Sequence, residues 1–106
     1  MYIYVVDNET KDEQMNKDEL KAVLESHAKW LAGDGGERAN LSGANLIDAN
    51  LHGASLNGAS MSDANLSDAY LSFSIMTGAY LSGANLTGAD MFGAYMFGAY
   101  MIGAEK

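Results

Sequence analysis

The strongest constraint on the fold of this chain is a five-residue period that runs without interruption from residue 39 to residue 103. Its thirteen pentapeptides begin with Ala in twelve cases, carry Leu in eight and Met in five at the third position, and end with Gly in nine. In an α-helix, five residues rotate a side chain by about 140° beyond a full turn, so the Leu residues would spiral around the axis. In a continuous strand, five residues reverse the face, so alternate Leu residues would point to water. The period therefore excludes both a long helix and a long strand.

The period fits a short extended segment that is closed by a corner at every fifth residue. Gly at the fifth position reaches backbone conformations that other residues rarely adopt, and Asp48, Asp63 and Asp68 are turn-compatible substitutes. The first and third side chains share the inward face, where a small Ala lies beside a large Leu or Met, and the second and fourth side chains face solvent. Phe73 replaces a corner Gly directly before Ser74, the single repeat start that is not Ala. That corner is expected either to bulge or to carry a contact.

Tandem copies of A-[DN]-L-x-G resemble the pentapeptide-repeat family, and the resemblance covers 65 of the 106 residues. It implies an all-β solenoid, a right-handed quadrilateral β-helix with four pentapeptides in each coil. Thirteen repeats would then form about three coils, and at an interstrand spacing of about 4.8 Å the rod would be roughly 16 Å long. Four repeats per coil would also stack Asn45, Asn65 and Asn85, whose amides can form a ladder. Residues 39–106 are the expected β-helix domain, and residues 1–38 are a separate N-terminal region.

The N-terminal region is predicted to contain a strand, a charged loop and a capping helix. Residues 1–6 favour a strand that covers an edge of the coil or pairs with another chain, and residues 7–16 are charged and loop-like. Asn16 followed by Glu19 is a capping-box pattern, which predicts a helix of about 15 residues that Gly33 allows to end. The predicted cap face consists of Leu20, Val23, Leu24, His27, Trp30 and Leu31. This face is expected to seal the first coil, since an uncapped solenoid exposes its core; the alternative is a helix that binds a partner.

The C-terminal repeats change character, because aromatic residues take outward positions where earlier repeats carry Asn, Ser and His. Three residues follow the last repeat, and no second cap is evident. Clustered apolar side chains at such an end exceed what a soluble monomer usually exposes, and Met is an adaptable interface filler. We therefore expect a homodimer, an arrangement also seen in the family, and the alternative is scattered surface aromatics. The predicted interface consists of Tyr80, Met91, Phe92, Tyr95, Met96, Phe97, Tyr100, Met101 and Ile102.

Composition and spacing exclude several classes of function. Fourteen acidic and six basic residues give a net charge of −8, which disfavours direct nucleic-acid binding because phosphate neutralisation needs Lys and Arg. The sequence contains no Cys, so it forms no disulfide and no Cys-based metal site. His27 and His52 have no third ligand at metal spacing, and no base accompanies the Ser and Thr residues. We therefore predict no enzyme, no catalytic residue, no metal and no cofactor.

The first residues of the chain do not have the pattern of a targeting or membrane segment. Residues 1–6 are apolar, but the run is short, no basic residue precedes it, and Asp7 follows directly. We therefore expect no membrane partner. The default expectation is a cytoplasmic protein, in a bacterium or in a phage-infected host cell.

The repeats contain four Asp residues and no basic residue, which places about one charge on every 4 Å of the rod. Duplex DNA carries one charge per about 1.7 Å, so any DNA mimicry is partial. Asp48 and Asp68 would stack at one corner, where like charges about 5 Å apart repel by about 1 kcal/mol, and Asp63 would lie one corner away. The candidate acidic edge consists of Asp48, Asp63, Asp68 and Asp90.

Two functions follow from these features. Family members that confer quinolone resistance are dimeric acidic rods that resemble B-DNA and bind DNA gyrase. This chain is shorter and lacks the loop that interrupts their repeats, so the resemblance favours another DNA-acting enzyme: a nuclease, a topoisomerase or a CRISPR-type effector. It also resembles small phage and prophage products, which suggests an inhibitor of a host enzyme. The alternative is a scaffold module that binds a protein partner through its aromatic C-terminal coils.

Overall fold

The structure is a computed structural model that describes residues 13–106, and in it a single helix packs on one end of a four-sided coil. Helix α1 spans Lys17–Leu31. From residue 40 onward, single-residue parallel bridges join each second-position residue to the residue twenty positions later. Twenty residues are four pentapeptides, so one coil has four sides. Within the repeats the four bridge columns start at Asn40, Asn45, Asn50 and Ser55, and Gln14 forms a further parallel bridge to Asn45. The strand predicted at residues 1–6 lies outside the described residues.

Backbone hydrogen bonds between neighbouring coils use three of the five amides in a repeat. The second-position amide of Ser60 donates to the carbonyl of Ala39 at 3.0 Å. The third-position amide of Leu41 donates to the carbonyl of Ser60 at 2.7 Å, and the corner amide of Gly43 donates to the carbonyl of Ser62 at 2.9 Å. The same pattern recurs along the coil, and it holds successive coils in a fixed twenty-residue register.

The first-position amide bonds to the preceding repeat, and the fourth-position amide bonds to a side chain where the second position is Asn or Asp. The first-position amide closes the corner, as Ala44 does by donating to the carbonyl of Leu41 at 3.1 Å. The fourth-position amide donates to the side-chain oxygen two residues earlier, as Thr87 does to Asn85 Oδ1 at 3.0 Å. The same contact is made by Asn40, Asn45, Asn50, Asn65 and Asp90. Asn and Asp at the second position therefore complete the backbone hydrogen bonding of the repeat, as in an Asx turn.

The coil interior contains the first-position and third-position side chains, as the period predicts. The third-position residues from Leu41 to Leu86 are 0–2% exposed, and most first-position Ala residues are equally buried. The third-position residues of the last repeats, Met91, Met96 and Met101, pack against this core but are only partly buried. The burial of the core thus declines toward the C-terminal end.

The corner residues adopt the left-handed backbone conformation that the five-residue period requires. The four corners without Gly have φ angles of 61° at Asp48, 62° at Asp63, 59° at Asp68 and 58° at Phe73. At Phe73 the amide still donates to the carbonyl of Phe92 at 2.9 Å, so the register is kept and the corner does not bulge. The ring instead contacts His52 and Phe92, with centroid distances of 5.8 and 5.6 Å. Of the two alternatives, this corner carries a contact.

Helix α1 begins and is oriented as its sequence predicts, but its last turn is more exposed than expected. The Asn16 side chain accepts the Glu19 amide at 2.9 Å. Leu20, Val23 and His27 are buried, and Leu24 packs against the core. Trp30 and Leu31, which the sequence also places on the cap face, are 41% and 42% exposed, and the Trp30 ring stacks on His27 with a centroid distance of 5.3 Å. Helical periodicity places Leu31 on the cap face, but the buried part of that face ends at His27.

Side chains of the N-terminal region replace the amides that a preceding coil would supply. Elsewhere, a fourth-position carbonyl accepts the corner amide of the coil before it. In the first coil, the Asn57 carbonyl bonds to His27 Nε2 at 2.8 Å and the Ile47 carbonyl accepts from Gln14 Nε2. The Ala39 amide donates to His27 Nδ1 at 2.9 Å, so the neutral imidazole carries its proton on Nε2. His27 thus joins α1 to both ends of the first coil.

The buried imidazole is held in its neutral form. Burial of the ring lowers the pKa of His27 below its usual value of 6.5, and the positive charge of Arg38 acts in the same direction. The hydrogen bond to the Asn57 carbonyl opposes this shift. Protonation of Nδ1 would also remove the acceptor of the Ala39 amide.

We predict that Ser74→Ala increases the free energy of unfolding by about 1 kcal/mol, because a buried unpaired hydroxyl costs roughly that much. Ser74 is fully buried, and its Oγ has no hydrogen-bond partner in residues 13–106. Urea unfolding monitored by circular dichroism would measure the change. Ser55→Ala, at an exposed outward position, is the matched control and should change the stability little. A less stable Ser74→Ala protein would contradict the prediction.

We predict that the protein loses stability as the pH falls from about 6.5 to 5, because the unfolded chain binds a proton at His27 that the folded chain does not. The stability is at its full value above the pKa of His27 in the unfolded chain. It is lost as the pH falls toward the lower pKa of His27 in the folded chain. The loss should reach at most about 1.4 kcal/mol per pH unit. Urea midpoints at several pH values would measure it. His27→Gln should remove this pH dependence, whereas exposed His52→Gln should retain it; equal slopes in both variants would refute the role of His27.

Candidate functional site

The outward side chains of the coil form two chemically different surfaces, one acidic and one aromatic. Asp48 and Asp68 occupy one corner column, which continues to Gly88, and Asp90 lies two residues beyond that corner. Asp63 lies one corner earlier, so three of the four predicted acidic residues share an edge and the fourth does not. The carboxylate of Asp68 lies where a Cβ at Gly88 would be, so it is directed along the corner toward the next coil.

The acidic edge has no basic residue within the coil to neutralise it. Residues 39–103 contain no Lys or Arg. The Asp90 Oδ1 accepts the Phe92 amide at 3.1 Å and completes the backbone of its own repeat. A carboxylate in that role keeps its charge and its remaining acceptor sites for solvent or for a ligand. The edge therefore offers negative charge on a rigid backbone, and it has the chemistry to attract cations and cationic side chains.

The aromatic surface, which we call the aromatic end, contains the four most exposed large apolar side chains of the described residues. It comprises Phe92, Tyr95, Phe97, Tyr100 and Ile102, which are 74%, 67%, 82%, 54% and 86% exposed. These are outward positions of the last repeats, as the sequence predicts. Beneath them the three partly buried Met residues form the floor of the same end. Phe92, Phe97 and Ile102 lie on three adjacent sides of the coil around this end, and clustered exposed apolar side chains typically mark a protein interface.

The predicted interface residue Tyr80 belongs to a stack that runs along one face of the coil. Its ring stacks on Tyr100 with a centroid distance of 4.8 Å and an interplanar angle of 5°. The guanidinium of Arg38 lies over the Tyr80 ring, 5.5 Å from its centroid, and forms a cation–π contact with it. Tyr80 is thus partly covered within its own chain, and Tyr100 presents the stack to solvent.

Sequence reasoning missed a second group of exposed apolar side chains, one coil before the aromatic end. Tyr70, Phe73 and Ile75 are 54%, 55% and 38% exposed. In the sequence, the replacement of a corner Gly by Phe73 indicates this group. The other two residues stand at second positions where most repeats carry Asn or Ser.

The described residues contain no arrangement with evident catalytic or metal-binding chemistry. Within residues 13–106, no group of three or more His, Cys, Asp or Glu side chains could hold a metal ion. His27 is committed to two backbone groups, and His52 Nδ1 bonds to Ser72 Oγ at 2.7 Å. In the same part of the chain, no helix is long and apolar enough to cross a membrane. The candidate sites of these residues are therefore the two exposed surfaces, the acidic edge and the aromatic end.

Comparison with known proteins agrees with the repeat geometry. Residues 37–63 and 64–103 match the family model for pentapeptide repeats (eight copies), and together they make up more than half of the chain. A search of curated protein sequences found no significant match.

Several solved structures are similar to this chain. A pentapeptide repeat protein from the thylakoid lumen of Arabidopsis thaliana is 38% identical over 63% of this chain and 50% of its own, with a TM-score of 0.44. HetL of Nostoc sp. strain PCC 7120, involved in heterocyst differentiation regulation, is 38% identical over 62% and 35%, with a TM-score of 0.41. Alr5209 of Nostoc PCC 7120 is 30% identical over 76% and 71%, with a TM-score of 0.40.

The chain spans half of the length of the Arabidopsis protein and about a third of HetL. Members of the family fold as right-handed quadrilateral β-helices and generally act as structural or protein-interaction modules. The uninterrupted pentapeptides, the four-sided coil and the match of the family model lead to one conclusion: the chain belongs to the pentapeptide-repeat family.

Proposed function

We propose that this protein is a non-enzymatic, cytoplasmic protein-binding module whose coil, of about three turns, associates with a second copy through the aromatic end. The observation that carries the proposal is the exposure of five large apolar side chains on the last repeats. Each is an outward residue on a backbone that the ladder holds in place, so the patch is ordered before any partner arrives. Preorganised aromatic groups reduce the entropy cost of association.

The residues beneath this surface also favour association. Met91, Met96 and Met101 are partly buried, whereas the equivalent Leu and Met residues of earlier coils are fully buried. Coverage of these thioethers by a second copy would continue the hydrophobic core across the interface, and Met adapts its shape to the facing surface. The aromatic end is free of Asp, Glu, Lys and Arg from residue 91 to residue 104. A two-fold dimer through this end would therefore not bring like charges of these repeats together.

We predict that the wild-type protein sediments at twice its chain mass of 11.3 kDa and that Phe97→Asp combined with Ile102→Asp weakens the dimer at least about 100-fold. Charged residues in a desolvated apolar interface are strongly unfavourable. Sedimentation velocity over a range of concentrations would measure both proteins. Thr77→Asp is the matched control, since Thr77 is an exposed residue in the same column one coil earlier. A wild-type protein that is monomeric at every concentration, or a double variant that stays dimeric, would refute the proposal.

A second candidate function uses the acidic edge: inhibition of a DNA-acting enzyme by partial DNA mimicry. The observation in its favour is that Asp48, Asp68 and Asp90 follow one edge of a coil without basic residues. A dimer through the aromatic end would lengthen this acidic rod and double its charge. In this function the enzyme would be a nuclease, a topoisomerase or a CRISPR-type effector.

We predict that any such inhibition weakens steeply between 50 and 200 mM salt and falls about tenfold or more when Asp48, Asp63 and Asp68 are replaced by Asn. Asn tolerates the left-handed corner conformation, so these variants should keep the fold. DNA cleavage or relaxation assays with one enzyme of each class would measure inhibition. If neither salt nor the triple substitution changes the inhibition, the protein binds the enzyme through the aromatic end, and the hypothesis of DNA mimicry is refuted.

A further inference from the structure

The chain departs from its own repeat at three successive positions around one corner. Phe73 occupies a left-handed corner with φ 58°, where the other repeats carry Gly or Asp. Ser74 places a buried hydroxyl without a partner in the described residues at a position that is otherwise Ala. Ile75 exposes an aliphatic side chain at an outward position. Backbone strain and unpaired buried polar groups cluster at functional sites, because selection for stability alone removes them.

The ring of Phe73 is fixed by its surroundings rather than free in solvent. It lies along the corner over Gly93, where a Cβ would come within 2.7 Å of the ring. Phe92 and His52 contact it edge to face from neighbouring coils. The His52 ring is itself held by the hydrogen bond to Ser72. His52, Phe73 and Phe92 thus form a continuous aromatic ridge across three coils, which we call the corner ridge.

The corner ridge is flanked by further exposed apolar side chains on both adjoining faces. Tyr70 lies on one face, and Ile75 and Tyr95 pair with each other on the next. Together they form an apolar surface at the side of the coil, which adjoins the aromatic end at Phe92 and Tyr95. Phe73 and Ile75 lie one coil before the residues of the aromatic end and are not part of it.

Charge distinguishes the class of partner that fits this surface. Asp90 forms a backbone bridge with Tyr70, and it therefore lies next to that ring on the same face. Asp48 and Asp68 line the opposite corner of the face; Lys17 and Lys21 of α1 line a cavity together with Asp48, and no Lys or Arg of the repeats offsets Asp68 or Asp90. Arg and Lys bind favourably where an aromatic face adjoins a carboxylate, since cation–π attraction and ion pairing then act on one group. An acidic or phosphorylated partner would be repelled.

We infer that the corner ridge binds a basic segment of a partner protein, one that presents an aliphatic or aromatic side chain beside Arg or Lys. The apolar side chain would pack on Phe73 and Ile75, and the cation would lie at the ring of Tyr70 and the carboxylate of Asp90. This inference rests on the proposed function as a protein-binding module and names the chemistry of the partner.

Titration of the full-length ¹⁵N-labelled protein with a twelve-residue peptide of alternating Arg and Leu tests the inference. Amide resonance shifts should concentrate at residues 70–76 and 90–93, and an equivalent peptide of alternating Glu and Leu should cause none. Phe73→Gly removes the ring and suits the left-handed corner, and it should raise the peptide Kd about tenfold or more. Phe73→Asn is a second variant that suits the same conformation. Asp63→Gly, a matched change at another left-handed corner, should alter the Kd less than about threefold.

Three results would overturn the inference: unchanged binding by Phe73→Gly and Phe73→Asn, equal binding of the Glu peptide, or resonance shifts spread over all acidic residues. Conversion of a wild-type dimer to a monomer by Phe73→Gly would assign the ridge to a second copy and would also overturn it. Peptide binding by the Phe97→Asp, Ile102→Asp variant separates the two proposals. If the variant is monomeric and still binds the peptide, the result supports the corner ridge independently of the dimer. If the protein is a dimer that does not bind the peptide, only the proposal for the corner ridge is refuted.

Discussion

The twenty-residue hydrogen-bond ladder is the constraint on which the rest of this structure depends. Within the coil, second, third and fifth amides bond to neighbouring coils, and first amides close the corners. A residue inserted into or deleted from one side of the coil would break the hydrogen bonds of that side with its neighbours, and every repeat from residue 39 to residue 103 has five residues. The same constraint explains why Phe73 adopts a φ of 58° in place of a bulge. The backbone keeps its twenty-residue register, and the Phe73 ring packs against His52 and Phe92.

A ladder of this kind must end, and the first coil shows how polar side chains can end it. Carbonyls that would accept amides from a preceding coil lie at the N-terminal end of the first coil, where a buried unpaired carbonyl would cost about 1–3 kcal/mol. His27 and Gln14 supply donors at these points, and the Met15 amide donates to the Asn45 carbonyl. The helix contributes apolar coverage through Leu20 and Val23 as well. The cap therefore imitates both the backbone and the core of a missing coil.

The period, the corners, the inward Ala and Leu residues and the helix cap at Asn16 could be predicted from the sequence, because each depends on residues close together in the chain. The resemblance to the family supplied the four-sided coil, which the period alone does not determine. The role of His27 could not be predicted, since its partner Asn57 lies thirty residues away and a lone His has no sequence signature of a backbone substitute. The exposure of Leu31 likewise depends on where the coil ends beneath α1.

The two candidate surfaces differ in how strongly the fold itself argues for a function. Outward residues such as Phe97 can change without disturbing the ladder or the core, so selection for a partner acts on them without a cost in stability. The exposed aromatic end therefore identifies where binding is possible, but other side chains at the outward fourth position would serve the fold equally well. Phe73 and Ser74 are different, because the corner conformation and the buried hydroxyl oppose stability directly. Residues that a fold tolerates only at a cost are the more specific evidence of function, and in this chain they lie at the corner ridge.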